Sequence, residues 1–418
     1  MKKTNWAGNY TYSTTNWHEP GSVEEVQHLV KDCPKLRVIG SRHSFNGIAD
    51  SNQHIISIKK LNKIIELDKE NQTVTVEGGV IYSNLSRYLE EHGFALANLA
   101  SLPHISVAGA CATATHGSGD NNRCLSDSII SMDIVTANGE IVHFSHEKNL
   151  EELRGAAVSL GGLGIITKLT LEIIPSYQVS QFVFNDLPFA QLENHLDDIL
   201  SSAYSVSLFT NWAGDYIHQA WLKKQHVDKE EIVELADLFG ALPATANSHP
   251  IPGVEAINCT EQMGIPGPWF DRLPHFRIDF TPSNGDELQS EYLVPREYAV
   301  KAIAAMREIG EELAPLLHAS EIRSIAADEL WMSPFYQQDA IGIHLTWKDN
   351  WKAVQQVLPK IEKQLKPFNA RPHWGKLFTM PKEEVQSLFE NLPKFRQLLE
   401  QYDPDGKFRN DFLETYIF

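Results

Sequence analysis

The sequence predicts an α+β protein built from two domains. With 418 residues, the chain is longer than a single hydrophobic core usually grows. Residues 1–178 contain many short strand patterns but lack the repeated strand–helix–strand units of a doubly wound fold. From residue 179 onward, strand patterns mix with the longest helical patterns of the chain. We therefore place a domain boundary near residue 178.

The first region carries its structural signals in short, separate segments. "HIISIKKL" and "QTVTVEGG" alternate like strands, whereas "NLSRYLEEHG" has helical spacing and stops at Gly93. "MDIVTANGEIVHF" predicts a hairpin that turns at Asn138 and Gly139. "IITKLTLEIIP" predicts a further strand that ends at Pro175. Strands therefore dominate this region.

The second region combines a long loop with helices. Proline and glycine punctuate "NSHPIPGVEAINCTEQMGIPGPWFDRLPHF", but this segment is too rich in aromatic residues to be disordered. We therefore expect an ordered loop over a site. "EYAVKAIAAMREIGEELAPLL" and "WKAVQQVLPKIEKQLKPF" each have the spacing of a long helix, next to short strands. These patterns predict a second α+β domain.

The charge balance limits the possible partners. The chain has 54 acidic and 36 basic residues, a formal net charge of -18, which opposes binding to nucleic acid or anionic lipid. No segment approaches the ~20 apolar residues of a membrane-spanning helix, and no apolar stretch follows the two lysines of "MKKTNWAGNY". We expect a cytoplasmic protein that binds neither nucleic acid nor membranes.

The four cysteines are scattered, at Cys33, Cys111, Cys124 and Cys259, and no Cys-x-x-Cys pair occurs. This spacing indicates neither a zinc site nor a disulfide framework. We expect buried free thiols and no metal ion.

Two segments have the composition of a ligand site. "RVIGSRHSFNG" reads as a strand that runs into a polar turn around His43, without the Gly-x-Gly-x-x-Gly pattern and helix of a dinucleotide-binding turn. "ASLPHISVAGACATATHGSGDNNRCLSD" consists mainly of small residues, whose backbone can approach a ligand and hold a diphosphate. A buried crossing between packed layers is the alternative reading of the second segment.

Two strand patterns present polar pairs on one face. Alternation in "SEIRSIA" places Glu321 and Arg323 together, and in "AIGIHLTW" it places His344 and Thr346 together, each pair opposite apolar residues. Ordinary half-exposed strands with solvated charges would give the same pattern. An acid, a guanidinium, an imidazole and a hydroxyl also suit a polyol, which has many donors and acceptors.

Five segments in order resemble one family of flavoproteins. They are "GSRHSFN", "SLPHISVAGACATATHGSG", "SLGGLGIITKLTLEIIP", "RPHWGK" and "DPDGKFRNDF". Their order and spacing resemble vanillyl-alcohol-oxidase type enzymes, in the sugar-alcohol and aldonolactone oxidase branch. "NWAGN", "HASEIRSIAAD" and "HLTW" are similar to alditol oxidases. The resemblance implies the two-domain PCMH-type fold, with an FAD-binding domain at 1–178, to which residues 377–418 return, and a substrate domain at 179–376.

The resemblance also implies how FAD is held. His43 corresponds to the histidine that is bonded covalently to the 8α-methyl group of FAD, and a neutral imidazole is a suitable nucleophile for that bond. Leu102 stands where doubly tethered relatives have a cysteine, so a single link is expected. Arg42 replaces a glycine of many relatives, and its guanidinium can pair with the diphosphate. The remaining expected FAD contacts are Val38, Ile39, Gly40, Ser41, Ser44, Ser106, Gly109, Thr113, Ala114, Thr115, His116 and Ile166.

The implied activity is oxidation of the terminal hydroxyl of an acyclic sugar alcohol, such as xylitol or sorbitol, to an aldose, with O₂ reduced to H₂O₂. The resemblance implies that Ser101, Glu321, Arg323 and Thr346 orient the substrate, with Glu321 and Arg323 also counted among the catalytic groups. His344 and Lys376 are the candidates for accepting the hydroxyl proton or for stabilising the charge that develops on the hydroxyl group. His373 and Trp374 are expected to be structural.

Three alternatives stay open at this point. An aldonolactone oxidase would share the fold and the anchor, and a dehydrogenase would differ in the electron acceptor. A catalytically silent flavin- or sugar-binding protein would lack the polar strand pairs.

Overall fold

The chain starts with a small parallel sheet that holds the loop around His43. The computed structural model describes residues 3–226, 238–280 and 287–418. The sheet has the strand order β1-β3-β2, with β1 (Trp17–His18), β2 (Leu36–Ile39) and β3 (His54–Ser57). Helix α1 (Val23–Asp32) joins the first two strands and begins at Ser22, whose hydroxyl accepts from the Glu25 N–H. The connection from β2 to β3 contains the segment "GSRHSFNG".

A second sheet has five antiparallel strands in the order β4-β5-β9-β7-β8, and a two-stranded sheet pairs β10 with β6. Their bounds are β4 (Ile64–Asp68), β5 (Thr73–Glu77), β6 (Phe94–Ala95), β7 (Ile129–Val135), β8 (Ile141–Ser145), β9 (Ile165–Glu172) and β10 (Ile174–Pro175). The accompanying helices are α2 (Tyr82–Glu91), α3 (Val107–Cys111) and α4 (Leu150–Ala156). The predicted hairpin is present, and Gly139 in its turn has a positive φ of 78°.

A nine-stranded antiparallel sheet forms the second half of the molecule. Its order is β14-β11-β13-β12-β17-β18-β16-β19, with β15 on the outer side of β11. The strands are β11 (Gln178–Pro188), β12 (Ser205–Thr210), β13 (Tyr216–His226), β14 (Leu242–Pro243), β15 (Gly267–Pro268), β16 (Glu287–Pro295), β17 (Leu317–Ile325), β18 (Ala340–Lys348) and β19 (Arg371–Pro372). Helices α5 (Phe189–Leu200), α6 (Ala299–Glu308), α7 (Gly310–Leu313) and α8 (Trp351–Leu365) accompany this sheet.

The segment "EYAVKAIAAMREIGEELAPLL" is not one long helix. It begins and ends in 3₁₀ turns and is divided between α6 and α7 at Ile309 (φ -108°). A side chain at Gly310 would lie 2.2 Å from the carbonyl oxygen of Trp212, so the backbone passes very close to a neighbouring turn here. The regular spacing gave no sign of this contact.

The C-terminal segment packs against the small parallel sheet. It contains α9 (Lys382–Ser387), α10 (Leu392–Tyr402) and α11 (Asp411–Tyr416). The Leu36 N–H donates to the Lys407 carbonyl oxygen at 3.0 Å, and the Asn410 amide donates to the carbonyl oxygens of Gly47, Ile48 and Asp50. These contacts fit the proposed return of residues 377–418 to the first domain, whose boundary stays a proposal.

Arg37, in β2, forms hydrogen bonds to three other segments of the chain. Its buried guanidinium donates to the carbonyl oxygens of Gly161 (2.8 Å), Phe408 (2.8 Å), Leu160 (2.7 Å) and Ile48. Replacing the guanidinium by an apolar group removes this donor from the carbonyl oxygens of Gly161, Leu160 and Phe408, whereas the Ile48 carbonyl oxygen keeps the Asn410 amide.

We therefore expect Arg37→Met to lower the free energy of unfolding by roughly 3 kcal/mol or more. Urea denaturation followed by tryptophan fluorescence measures the change. Lys35→Met, two residues earlier and partly exposed, is the control and should change stability by less than about 0.5 kcal/mol. An unchanged midpoint in Arg37→Met would show that the carbonyl oxygens of Gly161, Leu160 and Phe408 find other partners.

Two further sequence predictions concern the whole chain. The four cysteines are buried and free, which confirms the prediction of buried thiols. Among the described residues, no helix is both long enough and apolar enough to cross a membrane.

Candidate active site

A cavity of about 470 Å³ lies between the first and second halves of the molecule. Its wall includes the β2–β3 loop, the small-residue segment that begins at Ala100, and the polar face of the nine-stranded sheet. The long loop predicted to cover a site contributes His249, Ile251, Val254 and Asn258. The structure therefore brings the two halves of the predicted site together around one space.

His43 lines this cavity in the β2–β3 loop. Its ring stacks on Trp6, with the ring centroids 5.0 Å apart and an interplanar angle of 21°. Nδ1 is buried and has no hydrogen-bond partner among the described residues. Burial, with a smaller effect of His104, lowers the pKa of His43 to about 4, so the imidazole is neutral. The ring has the charge state that a nucleophilic imidazole requires.

Glycines let two backbone segments meet beside His43. A side chain at Gly40 would place its Cβ 1.9 Å from Ser106 Oγ, and one at Gly109 would place it 2.8 Å from the same atom. Arg42 has a positive φ of 63°, a conformation that favours glycine, and its exposed side chain donates to the Thr4 carbonyl oxygen at 2.9 Å. This close backbone approach and the unpaired His43 Nδ1 fit a large, flat cofactor such as FAD.

Most of the residues predicted to contact FAD lie on the cavity wall. Those that do are Val38, Ile39, Gly40, Ser41, Arg42, His43, Ser44, Gly109, Thr113, Thr115, His116 and Ile166. Ser106 and Ala114 are not among the lining residues; both are buried, and Ser106 directly precedes α3. The predicted substrate-binding residues Ser101, Glu321, Arg323 and Thr346 and the predicted catalytic residues His344 and Lys376 also line the cavity.

Strand register aligns the charged groups on the sheet. Glu321 on β17 lies directly opposite His344 on β18, which lies opposite Glu291 on β16. Directly opposite residues in neighbouring strands hold their Cβ atoms about 4.5–5.5 Å apart. Glu321 Oε2 consequently lies 3.9 Å from His344 Nδ1 and 3.7 Å from Arg323 Nη1.

Arg323 joins the two carboxylates and the small-residue segment. Its Nη2 donates to Glu291 Oε1 at 3.0 Å, and its Nη1 donates to Ser101 Oγ at 3.3 Å. Burial opposes charge on Glu321, but the positive charge of Arg323 and the hydrogen bond from His275 hold the pKa of Glu321 well below its usual range. Glu321 is therefore an ionised acceptor on the cavity wall.

Glu291 is a central site residue that the sequence analysis missed. It receives the Lys376 ammonium at 2.5 Å and the Arg323 guanidinium at 3.0 Å, and its side chain has 0% exposure. Burial raises its pKa, but Lys376 and Arg323 outweigh burial and keep the pKa well below the usual range. The alternation of "ELQSEY" places Glu287, Gln289 and Glu291 on one face, so a signal was present.

A chain of hydrogen bonds sets the tautomer of His344. The Gln289 amide N–H donates to Glu287 Oε1 at 2.6 Å, which orients the amide oxygen toward His344 Nε2 at 3.2 Å. His344 Nε2 must therefore carry the proton, and its Nδ1 is left as a lone-pair acceptor on the side of Glu321. Burial and the charge of Lys376 lower the pKa of His344 well below its usual value, so the ring is neutral.

Lys376 follows β19 at the other end of the site. The backbone N–H of Lys376 donates to the His373 carbonyl oxygen at 3.1 Å and closes a turn. The Lys376 ammonium donates to Glu291. Burial lowers the pKa of Lys376, while Glu291 opposes that change. His373 and Trp374, expected to be structural, are buried in this turn, and the Trp374 indole N–H donates to the Met332 carbonyl oxygen at 2.7 Å.

Among the residues that the structure describes, two groups of side chains have ligand atoms close enough to bind a metal ion. His116, Glu291 and His373 form one, and His18, Cys33 and His54 form the other. In the first, Glu291 already neutralises two cations, which disfavours a third. In the second, His18 Nε2 and His54 Nδ1 bind each other at 3.0 Å. We therefore propose no metal ion for either group.

Comparison with known families and proteins agrees with this geometry. Residues 17–145 match the family model "FAD binding domain", and residues 285–416 match "D-arabinono-1,4-lactone oxidase". The chain is 43% identical over 417 residues to alditol oxidase from Streptomyces sp. (strain IKD472 / FERM P-14339), covering 99% of this chain and 98% of that protein.

More distant relatives and solved structures extend the comparison. L-gulonolactone oxidase of Mus musculus is 24% identical, covering 99% of this chain and 98% of its own. L-gulono-1,4-lactone dehydrogenase of Mycobacterium tuberculosis (strain ATCC 25618 / H37Rv) is 25% identical with the same coverage. A cholesterol oxidase from Brevibacterium sterolicum superposes with a TM-score of 0.79 over 100% of this chain and 96% of that chain, at 15% identity. That last likeness concerns the fold alone, and it confirms the predicted PCMH-type architecture.

Proposed function

The chain belongs to the alditol oxidase family of FAD-dependent oxidoreductases, and on that premise we propose that it oxidises the terminal hydroxyl of acyclic sugar alcohols. Xylitol and sorbitol are the proposed substrates, an aldose is the product, and O₂ is the acceptor that yields H₂O₂. The main support is the row of polar groups, the buried Glu321 and Glu291 with the partly exposed His344 between them, that crosses the sheet at the cavity.

The proposed cofactor site uses the β2–β3 loop and the small-residue segment. His43 is the proposed covalent anchor, since its neutral ring stacks on Trp6 and its Nδ1 lacks a partner among the described residues. Gly40 and Gly109 allow the backbone to approach the cofactor. When bound, FAD supplies the acceptor for the hydride that leaves the substrate carbon, and O₂ then takes the two electrons.

Substrate hydroxyls are proposed to bind between Ser101, Glu321, Arg323 and Thr346. The ionised Glu321 accepts from hydroxyl groups, and Arg323 donates to their oxygens, while Ser101 and Thr346 can do either. A molecule with hydroxyls on adjacent carbons satisfies these groups together. A simple alcohol leaves the buried acid partly unpaired.

The hydroxyl proton is proposed to leave toward His344. Negative charge must grow on the alcohol oxygen as hydride leaves the carbon, so a base or a cation has to act there. His344 Nδ1 is a free lone-pair acceptor because Gln289 holds the proton on Nε2. Lys376 is the nearby cation that can stabilise the oxygen.

We expect the denatured protein to keep its flavin because of the His43 bond. In-gel flavin fluorescence after acid treatment should show a bright band for the wild type and a dark band for His43→Ala. The variant should bind FAD only non-covalently and reduce it more slowly. His104→Ala, which removes a neighbouring histidine, is the control and should stay bright. A dark wild-type band with free FAD in the supernatant would exclude the covalent link.

We expect xylitol and sorbitol to be oxidised far faster, in kcat/KM, than simple primary alcohols such as 1-pentanol. An analogue that leaves Glu321 unpaired loses roughly 1–3 kcal/mol or more, which is a factor of about 5–160 or more. Peroxide release across polyols, alcohols and aldonolactones measures this. Higher activity on lactones would favour an aldonolactone oxidase, and turnover only with an artificial electron acceptor would favour a dehydrogenase.

The cytoplasmic location stays a prediction, which fractionation of the native cells tests.

A further inference from the structure

Lys223 is a buried cation next to the site that the proposed chemistry does not use. It lies on β13 and is 1% exposed. Its ammonium donates to the Leu273 carbonyl oxygen and lies 3.2 Å from His275 Nδ1. Within the described ranges, no carboxylate lies within 4.0 Å of its Nζ. A buried ammonium without a carboxylate is costly, which suggests a function for it.

His275 connects Lys223 to the substrate site. Its Nε2 lies 2.9 Å from Glu321 Oε1, so the ring bridges the ammonium and the carboxylate. An ammonium has only donors, so His275 Nδ1 must accept from it, and the ring proton must then lie on Nε2. That proton is donated to Glu321. The ionised Glu321 and Lys223 therefore favour the same tautomer of neutral His275, and Lys223 holds the ring in place from its Nδ1 side.

The ring cannot easily turn away from this arrangement. Phe209 and Trp221 contact it edge-on, each with a centroid separation of 5.4 Å. Burial lowers the pKa of His275 to about 4 and that of Lys223 to about 7. At pH 6 the ring is therefore neutral and the lysine is charged. Glu321 Oε1 then accepts the hydrogen bond from His275, while Oε2 lies on the side of Arg323 and His344.

We propose that Lys223 is a positioning residue that acts through His275 to fix the carboxylate of Glu321 for recognition of adjacent substrate hydroxyls. The choice of a polyol as the substrate rests on the proposed function. The hydrogen bonds between Lys223, His275 and Glu321 do not depend on it. Loss of Lys223 should therefore affect the affinity for polyols more than the hydride step, because neither Lys223 nor His275 is the proposed base.

The kinetic test compares Lys223→Met with Lys224→Met in the holoenzyme at pH 6. Lys224 is the next residue on β13 and does not line the cavity. Anaerobic stopped-flow reduction with xylitol gives the dissociation constant and the limiting rate separately. We expect Lys223→Met to raise the dissociation constant roughly 10- to 100-fold, to change the limiting rate by less than about 3-fold, and to reduce the preference for xylitol over 1-pentanol. Lys224→Met should match the wild type.

A second pair of variants separates hydrogen bonding from packing. His275→Gln keeps an N–H for Glu321 and a carbonyl oxygen for Lys223, whereas His275→Leu keeps neither. We expect His275→Gln to bind xylitol within about 5-fold of the wild type and His275→Leu to weaken binding as Lys223→Met does. Equal loss in both variants, or wild-type affinity in Lys223→Met, would overturn the proposal.

A spectroscopic measurement tests the arrangement without activity. Long-range ¹H–¹⁵N spectra of protein labelled at histidine report which ring nitrogen carries the proton, and His275→Gln identifies the signal of His275. We expect the Nε2–H tautomer in the wild type, and in Lys223→Met a shift of the Nδ1 resonance toward that of a nitrogen without a hydrogen-bond donor. An Nδ1–H tautomer in the wild type would overturn the proposal. If the wild type neither binds nor oxidises polyols, the proposed function fails, while the spectra still decide the tautomer.

Discussion

His344→Ala should slow anaerobic reduction of bound FAD by xylitol about 10²–10⁴-fold, the usual contribution of a general base. Reoxidation by O₂ should change little, because the variant removes the acceptor of the substrate proton. Stopped-flow absorbance, first with substrate under nitrogen and then with oxygen, reads the two half-reactions separately. His226→Ala, at the end of β13 where its ring contacts Ser180, is a control outside the cavity.

The pH dependence adds a second check on His344. Burial lowers its pKa, so the neutral, active form persists as pH falls below the usual imidazole value of ~6.5. The reduction rate should therefore hold at pH 6 and decline only at lower pH. Gln289→Leu, which removes the group that fixes the tautomer, should reproduce part of the loss. A wild-type rate in His344→Ala would make His344 a pocket residue and assign the proton to Lys376 or water.

Lys376→Met should slow the reaction about 10²–10³-fold, as expected when a charge-stabilising donor is removed. In this variant Glu291 loses its ion pair with Lys376 and keeps the one with Arg323. Lys376→Arg keeps the positive charge and should recover part of the rate. The same two-step stopped-flow measurement shows whether reduction, reoxidation or both depend on the cation.

The charge of Lys376 also leads us to expect a decline in the reaction rate at high pH. Burial lowers its pKa, so the ammonium loses its proton as pH rises through a value below the usual lysine range. The wild-type rate should decline there, and the decline should be absent from Lys376→Met. Equal rates for wild type and Lys376→Met in both half-reactions would show that Lys376 holds Glu291 in place without assisting the chemistry.

Local patterns in the sequence were sufficient for one part of the site. Alternation along β17 and β18 placed Glu321 with Arg323 and His344 with Thr346, and all four line the cavity. This succeeded because side chains on a strand alternate faces whatever the strand pairs with. The same rule applied to "ELQSEY" would have suggested Glu291, which was overlooked among other polar residues.

Tertiary contacts decided the rest of the site. His275 and Lys223 lie in a loop and on a distant strand, and no spacing in the sequence relates either to Glu321. Ser106 and Ala114 were predicted to contact FAD; both are buried and neither is among the residues that line the cavity, so their contact with FAD stays a prediction. Such outcomes depend on packing between segments far apart in the chain.

The amino-acid sequence by itself determined the fold class, the His43 turn and the polar faces of two strands, since each depends on local periodicity or on a short motif. Which polar faces meet was decided by the tertiary structure. The register of β16, β18 and β17 sets Glu291, His344 and Glu321 in one row, and that row pairs Glu291 with Lys376 and Arg323. Proton positions and charges follow from these contacts, because a buried group's pKa depends on its neighbours in space.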